Sequence, residues 1–445
     1  MSAERQTKEE AKVLVVGLGA SGLAAARHLA RRGIPFAVAD SRLEPPGVTA
    51  LRALVPHVEL HLGPFDAGLF RRACRLVLSP GVAPQEPAVA AAAEAGVEVL
   101  GEVELFAREV EGPVVGVTGS NGKSTVTTLL GEMAVAAGRR VAVGGNLGTP
   151  ALELLDRQAD LYVLELSSFQ LETTVSLRPE VALLLNLSAD HLDRHGSLEA
   201  YTAAKARILR GARRMVLNAD DPRVRALGGE VEGEVVWFTL GPPAAGEWGL
   251  REGWLCHGDR RVVEADALRI PGRHNQANAL AALAAGTLLG LDPSAMVDAL
   301  VRFPGLPHRT QWVAERDGVA WYDDSKATNV GATLAAVQGM PGPLVLIMGG
   351  EGKGADFAPL RDPVARKARA VVLIGRDAPL IESALGGAVP VERAGDMRDA
   401  VARAARLART GDQVLLSPAC ASWDMFNGFA ERGEAFASAV REAAA

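Results

Sequence analysis

The sequence predicts an α/β fold in three domains, and three observations carry that expectation. Short β-rich apolar runs alternate with Ala- and Leu-rich helical stretches throughout, which is the mark of βαβ units and parallel sheets. The 445 residues exceed what a single hydrophobic core organises, at roughly 100 to 200 residues per domain. A Pro-Gly-Leu-Pro stretch at 304–307 interrupts the alternation, because two prolines and a glycine sustain neither a helix nor a central strand.

Taken in order, apolar runs at 12–16, 36–39 and 76–78 are each followed by a helix-like segment, and the unit closes near 97–101. The first domain is therefore expected over residues 1–101. A new strand at 114–117 feeds a glycine-rich loop and a helix from Ser124, and strands follow at 161–165 and 181–185. An antiparallel patch is expected around 235–263, and an alanine-rich helix after Asn275 completes a second domain over 102–305. Beyond the linker, strands at 319–322, 344–348, 370–374 and 413–416 alternate with helices, giving a third, open-sheet domain over 306–445. No repeat of fixed period or low-complexity tract is present.

Composition narrows the function classes. A net charge of -6 provides no general field for nucleic acid or an acidic membrane, so an anionic ligand must be met by local clusters. Cys74, Cys256 and Cys420 are far apart and odd in number, which fits neither a disulfide framework nor a Cys-x-x-Cys metal site. The first residues are polar and mixed in charge, unlike a secretory leader, and no window has the ~20 continuous apolar residues of a spanning helix. A soluble protein of the reducing cytoplasm, binding neither nucleic acid nor membrane, is expected.

The strongest chemical signal runs from Val115 to Thr125. Gly119, Ser120, Asn121, Gly122, Lys123, Ser124 and Thr125 form a loop whose backbone N–H groups turn toward one anion. Lys123 adds a point charge for the outer phosphates of a nucleotide, and a hydroxyl of Ser124 or Thr125 can ligate magnesium. Val117 stands where a generic phosphate loop has glycine. In the first domain, Gly17, Gly19 and Gly22 follow a strand and open a helix, with Asp40 ending the next strand. Read alone, that fingerprint favours NAD; a nucleotide-sugar diphosphate satisfies it equally well.

Glu165 ends an apolar strand, where a carboxylate can meet magnesium beside the phosphate loop. His191 and His195 in Asp190-His191-Leu192-Asp193-Arg194-His195 could suggest zinc, but no thiolate is near, and one histidine beside a magnesium-nucleotide site is the better reading. Lys205, in an expected helix over 197–210, reads on its own as a solvent-facing lysine, since an ammonium has no lone pair to ligate a metal. In the third domain, His308-Arg309, residues 323–329, residues 349–353 and residues 417–424 place hydroxyls, lysines and glycines at several junctions of one sheet edge, which suits a small anionic substrate.

These residues together resemble the Mur ligase family of peptidoglycan synthesis, over nearly the whole chain. The likeness rests on residues 118–125, which account for Val117, on residues 144–148, on residues 165–172 and on His274-Asn275-Gln276-Ala277-Asn278. Within the family, residues 324–329 and 417–422 look like the members that add D-glutamate. The resemblance implies a Rossmann-like N-terminal domain, a central domain like a P-loop ATPase with a mostly parallel sheet, and a Rossmann-like C-terminal domain. It implies an ATP-dependent amide ligase acting in cell-wall synthesis through an acyl phosphate, a monomer whose substrates are UDP-N-acetylmuramoyl-L-alanine and D-glutamate.

By the same resemblance, Ala20, Ser21, Asp40, Ser41, Arg42 and Gly81 hold the UDP, with Gly19 and Gly22 shaping that loop and Asn146 meeting the muramoyl part. ATP lies on residues 119–125, with Asn275 and Asn278 near the base and Arg309 and Asp324 reaching across from the third domain. Two magnesium ions are implied, one at Ser124 and Glu165 and one at His191 and a carbamylated Lys205. Lys123, His191, Lys205 and Lys326 make up the catalytic set. D-Glutamate falls to Thr328, Lys353, Ser422, Trp423 and Phe429, with Trp423 standing where the family pattern has leucine. The competing readings are another Mur-type or folate-extending ligase, an NAD-dependent oxidoreductase, and a nucleotide-binding module without turnover. The full UDP-type first domain opposes the folate enzymes, and an oxidoreductase leaves Glu165, Asn278, Arg309 and residues 417–422 unused.

Overall fold

The structure, a computed structural model, describes residues 12–270 and 272–442. Each of its three sheets has at its centre mostly apolar, buried strands, as parallel strands covered on both faces require. The first sheet comprises β1 (Val13–Val16), β2 (Phe36–Asp40), β3 (Glu59–Leu62), β4 (Arg75–Leu78) and β5 (Glu98–Gly101). They pair in parallel in the order β3-β2-β1-β4-β5. Helix Ala20–Arg31 crosses from β1, and Gly22 lets it sit close to the sheet: a Cβ there would lie 1.9 Å from the Gly17 carbonyl oxygen.

The second sheet contains β6 (Val114–Thr118), β7 (Val141–Gly145), β8 (Leu161–Glu165), β9 (Val181–Leu184), β10 (Arg214–Asn218), β11 (Glu234–Phe238), β12 (Trp248–Arg251), β13 (Trp254–His257) and β14 (Arg260–Glu264). Their order is β14-β13-β12-β11-β10-β9-β6-β8-β7. The stretch expected to be antiparallel divides: β11 runs parallel to β10, and only the β12-β13-β14 meander is antiparallel. The third sheet, β15 (Gln311–Arg316), β16 (Val319–Asp323), β17 (Leu344–Gly349), β18 (Ala368–Ile374), β19 (Val391–Arg393) and β20 (Gln413–Leu416), has the order β15-β16-β20-β17-β18-β19. All of its neighbours are parallel except the β15-β16 hairpin.

The sequence left β3, β7, β15 and β19 unassigned, and each is an edge strand of its α/β unit or sheet, with a half-exposed face. Charged and glycine residues are tolerated there, and they hide the strand pattern. Interior β10 was also missed, since Arg214 and Asn218 leave only three apolar residues between them. The expected helix over 197–210 is helix Leu198–Ala206, capped by the Ser197 hydroxyl, followed by a 3₁₀ turn at Arg207–Leu209. The alanine-rich helix is Arg273–Leu288, so Asn275 lies in its first turn rather than before it.

The first and second sheets are joined by buried polar contacts. Glu104 accepts from the backbone N–H groups of Val175 and Ser176 at 2.7 and 2.9 Å, and Glu102 accepts from Leu152 N–H at 2.6 Å. Glu102 is 2% exposed and its second oxygen has no partner, so burial pushes its carboxyl up from 4.5 to about 7. Between pH 4.5 and 7 the native chain keeps a proton that the unfolded chain has released, so stability falls as pH rises through that window and the whole cost stands above it. Glu102→Gln should accordingly raise stability by about 3 kcal/mol near pH 8, at about 1.36 kcal/mol per pKa unit, and leave it unchanged near pH 4. Urea unfolding midpoints at the two pH values measure this.

Candidate active site

The carboxyl ends of the central strands open onto a cleft roofed by the third domain. After β6, residues 119–122 turn into helix Lys123–Ala136, and Gly122 takes the left-handed conformation at φ 86°. A side chain at Gly122 would also strike the Asn278 amide, its Cβ 2.4 Å from Oδ1. The loop is braced from the exit of β9: Asn121 N–H donates to Asn186 Oδ1 at 2.8 Å, Ser188 N–H donates to Ser120 Oγ at 2.9 Å, and Ser120 Oγ lies 3.0 Å from Tyr201 Oη. Lys123 Nζ donates to the carbonyls of Gly119 and Ser120 at 2.9 and 3.0 Å. Burial pushes its ammonium down, with Glu165 opposing that shift.

Glu165, at the end of β8, accepts from Ser124 Oγ at 2.5 Å on one oxygen and from Asn146 Nδ2 at 2.7 Å on the other. Burial raises its carboxyl, yet the Lys123 charge and these two hydrogen bonds outweigh burial and hold it below its ordinary value. Glu165 is therefore an anion in a nearly closed setting, with two hard oxygens beside a hydroxyl. Arg309, entering from the third domain, donates to Ser124 Oγ at 2.7 Å.

Lys205 corrects the solvent-facing reading: it is 2% exposed, because helix Leu198–Ala206 lays it under the end of β6. Its Nζ donates to Gly119 O at 2.8 Å and sits 4.8 Å above the Tyr201 ring. Burial, reinforced by the Lys123 charge, pushes its ammonium well below the usual lysine range. His191 takes a left-handed backbone at φ 52° and packs its ring 4.9 Å from that of Phe169. Burial lowers its imidazolium despite the neighbouring Asp190 carboxylate. Ser124, Glu165, His191 and Lys205 line one cavity of about 280 Å³, together with Lys123, Asn146, Lys326 and Thr328.

A second cavity of about 290 Å³ adjoins it across the phosphate loop, lined by Asn121, Gly122, Thr125, Asn275, Asn278, Arg309 and Asp324. Burial drives the Asp324 carboxyl up to about 7, against hydrogen bonds from Ser417 Oγ at 3.0 Å and Thr310 N–H at 3.1 Å. Lys326 enters both cavities, its Nζ 4.0 Å from the centre of the Phe429 ring. Burial and the charges of Arg309 and Lys123 bring it down to about 8.

The remaining third-domain candidates are placed unequally. Lys353 reaches the cleft rim, its Nζ 3.6 Å from Asp190 Oδ1. Ser422 is buried, and its carbonyl caps the turn to Phe426. Trp423 turns outward, 69% exposed. In the first domain, Gly19 caps helix Ala20–Arg31, placing Ala20, Ser21 and Gly22 in its first turn at the carboxyl ends of the strands. Asp40 is engaged within the protein: Leu18 N–H donates to it at 2.7 Å and Arg42 clamps it at 2.9 and 2.7 Å, holding its carboxyl down near 2 against burial. It thereby shapes the loop of Ser41 and Arg42.

Three residues of the site were given no role from the sequence, although two of them, Asp190 and Arg194, flank His191 in the segment read there. Asp190 accepts from Asn329 Nδ2 at 3.1 Å, tying the third domain to the second. Tyr201 braces Ser120, and its spacing of one helical turn from Lys205 was the available signal. Arg194 donates to the carbonyls of Pro80 and Val82 at 3.3 Å, on either side of Gly81, and to Glu172 at 2.8 Å. It thereby joins the first domain's loop to the central cleft.

Comparison with known proteins finds matches along most of the chain. Residues 11–101 match a family profile described as "Mur ligase MurD-like, N-terminal domain", residues 117–286 one described as "Mur ligase middle domain", and residues 308–420 one described as "Mur ligase, glutamate ligase domain". The UDP-N-acetylmuramoylalanine--D-glutamate ligase of Nitrosococcus oceani is 55% identical over 444 residues, covering 98% of both chains. The protein of the same name from Pseudomonas aeruginosa is 55% identical over 440 residues, 97% of this chain and 98% of its own. Among solved structures, a UDP-N-acetylmuramate-alanine ligase from Thermotoga maritima superposes with a TM-score of 0.62 at 19% identity, covering 97% of this chain and 99% of its own. A MurF ligase from the same organism, in complex with ADP, gives 0.58 at 18% identity over 98% and 96%. At such identities these two speak for the fold.

Proposed function

The chain belongs to the Mur ligase family, and from that premise we propose that it joins D-glutamate to UDP-N-acetylmuramoyl-L-alanine, converting ATP to ADP and phosphate. The observation that carries the proposal is the convergence, in one cleft, of a phosphate loop, a strand-end carboxylate and a buried lysine from the second domain with Arg309, Lys326 and Thr328 from the third. Domain limits at 1–101, 102–305 and 306–445 fit this division of labour. The setting we assign is a cytoplasmic monomer; no helix among the described residues is long and apolar enough to cross a membrane.

The first-domain loops at residues 19–22, 40–42 and 81 hold the UDP, and Asn146 orients the muramoyl arm so that the alanyl carboxylate enters the cleft. Residues 119–125 cradle the ATP phosphates, with Asn275 and Asn278 at the base and Arg309 and Asp324 closing over it. A carboxylate oxygen attacks the γ-phosphorus, ADP leaves, and an acyl phosphate results. Lys123 and Arg309 offset the charge of bringing a carboxylate against a triphosphate. D-Glutamate, held by Thr328, Lys353, Ser422 and Phe429 and by the backbone at Trp423, then attacks the acyl carbon through its free amine. The C–O bond breaks, phosphate departs with the bonding pair, the amine nitrogen gives up one proton and the amide forms, while the roof formed by the third domain keeps water away.

The donor chemistry fits one magnesium ion directly, since the Ser124 hydroxyl and the Glu165 carboxylate are hard oxygens. His191 and Lys205 fit a second only if Lys205 carries a carbamate, because an amine held against Gly119 O has no anionic oxygen to offer. The depressed ammonium favours that modification: a neutral amine is the form that adds to carbon dioxide. Magnesium bound at these positions would offset phosphate charge in the first step.

The test is turnover in ATP, magnesium and UDP-N-acetylmuramoyl-L-alanine with single amino acids, followed by phosphate release and product mass. D-Glutamate should be the amino acid consumed. Silence with D-glutamate, or equal rates with L-glutamate, would refute the reading.

A further inference from the structure

Arg432 is 1% exposed, the most enclosed arginine of the third domain, and lies in the first turn of helix Phe429–Glu442. Among the described residues no carboxylate comes within ion-pair distance of it. Its guanidinium is consumed by three strand-end junctions. Nε donates to Ser325 Oγ at 3.0 Å and Nη2 to Ser325 O at 2.8 Å, beyond β16. Nη1 donates to Cys420 O at 3.1 Å and Ala421 O at 3.3 Å, beyond β20, and reaches Gly349 O, at the end of β17. Ser325 Oγ in turn donates to Phe429 O at 2.7 Å, closing the ring onto the helix that carries the arginine.

Each anchored strand-end junction runs on, within four residues, into a contact of the proposed amino-acid pocket. Ser325 leads to Lys326 and Thr328, Gly349 leads to Lys353, and Ala421 leads to Ser422. Phe429 is one helical turn before Arg432 itself. We propose that Arg432 is the positioning residue of the amino-acid pocket: one planar fork sets the mutual distances of the three loops that receive the incoming amine and its carboxylates. Only arginine offers donors fixed in one plane toward several directions; a lysine concentrates its donors at one point. Burial brings the guanidinium down to about 10, while its carbonyl acceptors and the more distant Asp424 and Asp323 carboxylates favour the charge, so it remains a cation at working pH. The neighbouring loops are further stitched by the paired backbone bonds between Glu351 and Ala421 at 2.9 and 2.8 Å, so displacement of one loop moves the next.

The inference rests on the ligase reading, and the test separates the two. Steady-state constants are measured for the parent, Arg432→Lys and Arg432→Met, together with ADP formation when hydroxylamine traps the acyl phosphate without amino acid. The KM for D-glutamate should rise about 100-fold, the scale of a misplacement near 1 Å, while the KM for ATP and the trapped first step stay at parent values. Should Arg432→Met not fold, Ser325→Ala removes the Nε acceptor while keeping the cation, and it should move the D-glutamate KM alone, by a smaller factor. An unchanged D-glutamate KM, or equal losses in the D-glutamate and ATP constants, would overturn the positioning role. A parent protein inert toward D-glutamate would defeat the ligase reading itself.

Discussion

Replacing Lys123 with alanine should reduce turnover by about 10³-fold, near the upper end for removal of one preorganised charge donor. The effect is large because Lys123 is enclosed beside Glu165, and its ammonium is already turned into the loop through Gly119 O and Ser120 O. Nothing else on the loop places a cation there: Lys205 has its ammonium depressed, and Arg309 arrives from another domain at Ser124. The fold should tolerate the change within about 1 kcal/mol, because two hydrogen bonds are lost while the cost of burying a charge is relieved. Thermal unfolding with and without ATP separates these effects. The parent should gain about 2.7 kcal/mol at a hundredfold excess over the dissociation constant, and the variant should gain far less.

Lys205→Ala should cost at least about 100-fold in turnover, and millimolar formate or acetate should restore part of it. The expectation comes from a conflict visible at the residue. A 2% exposed lysine whose partners are a carbonyl, a hydroxyl and an aromatic face has been placed where a cation is disfavoured. A neutral amine there can take up carbon dioxide and become an oxygen donor facing the cleft, which a short free carboxylate can imitate in the alanine variant. Full activity of Lys205→Ala without added carboxylate would remove Lys205 from the chemistry. Loss without rescue would leave it a part of the cleft wall.

The two loops at the ends of β1 and β6 were legible in the chain because glycine spacing and a following helix are local features. So were β17 and β18, whose buried apolar runs fit a strand covered on both faces. Edge strands β3 and β15 were not, since one of their faces meets water and carries charge. Lys205 shows the limit most clearly. Its helix has an ordinary composition, and its burial arises only when that helix closes over the end of β6, a long-range event that leaves no periodic trace. Asp40 was legible at the end of β2 from the motif, whereas its hydrogen bonds from Leu18 and Arg42 were not, because the Leu18 contact forms only when the loops after β1 and β2 meet. Arg432 gave no signal at all, because an arginine in the first turn of an amphipathic helix reads as a solvated charge until three other loops are brought to it.

The most direct test of the account follows oxygen. UDP-N-acetylmuramoyl-L-alanine labelled with ¹⁸O in both alanyl carboxylate oxygens is turned over with ATP and D-glutamate, and the products are weighed by mass spectrometry. If the carboxylate attacks the γ-phosphorus and the amine then displaces phosphate, each turnover leaves one label in inorganic phosphate and the other in the new amide. Label appearing in AMP, or unlabelled phosphate accompanying amide formation, would contradict the acyl-phosphate route and the role given to residues 119–125.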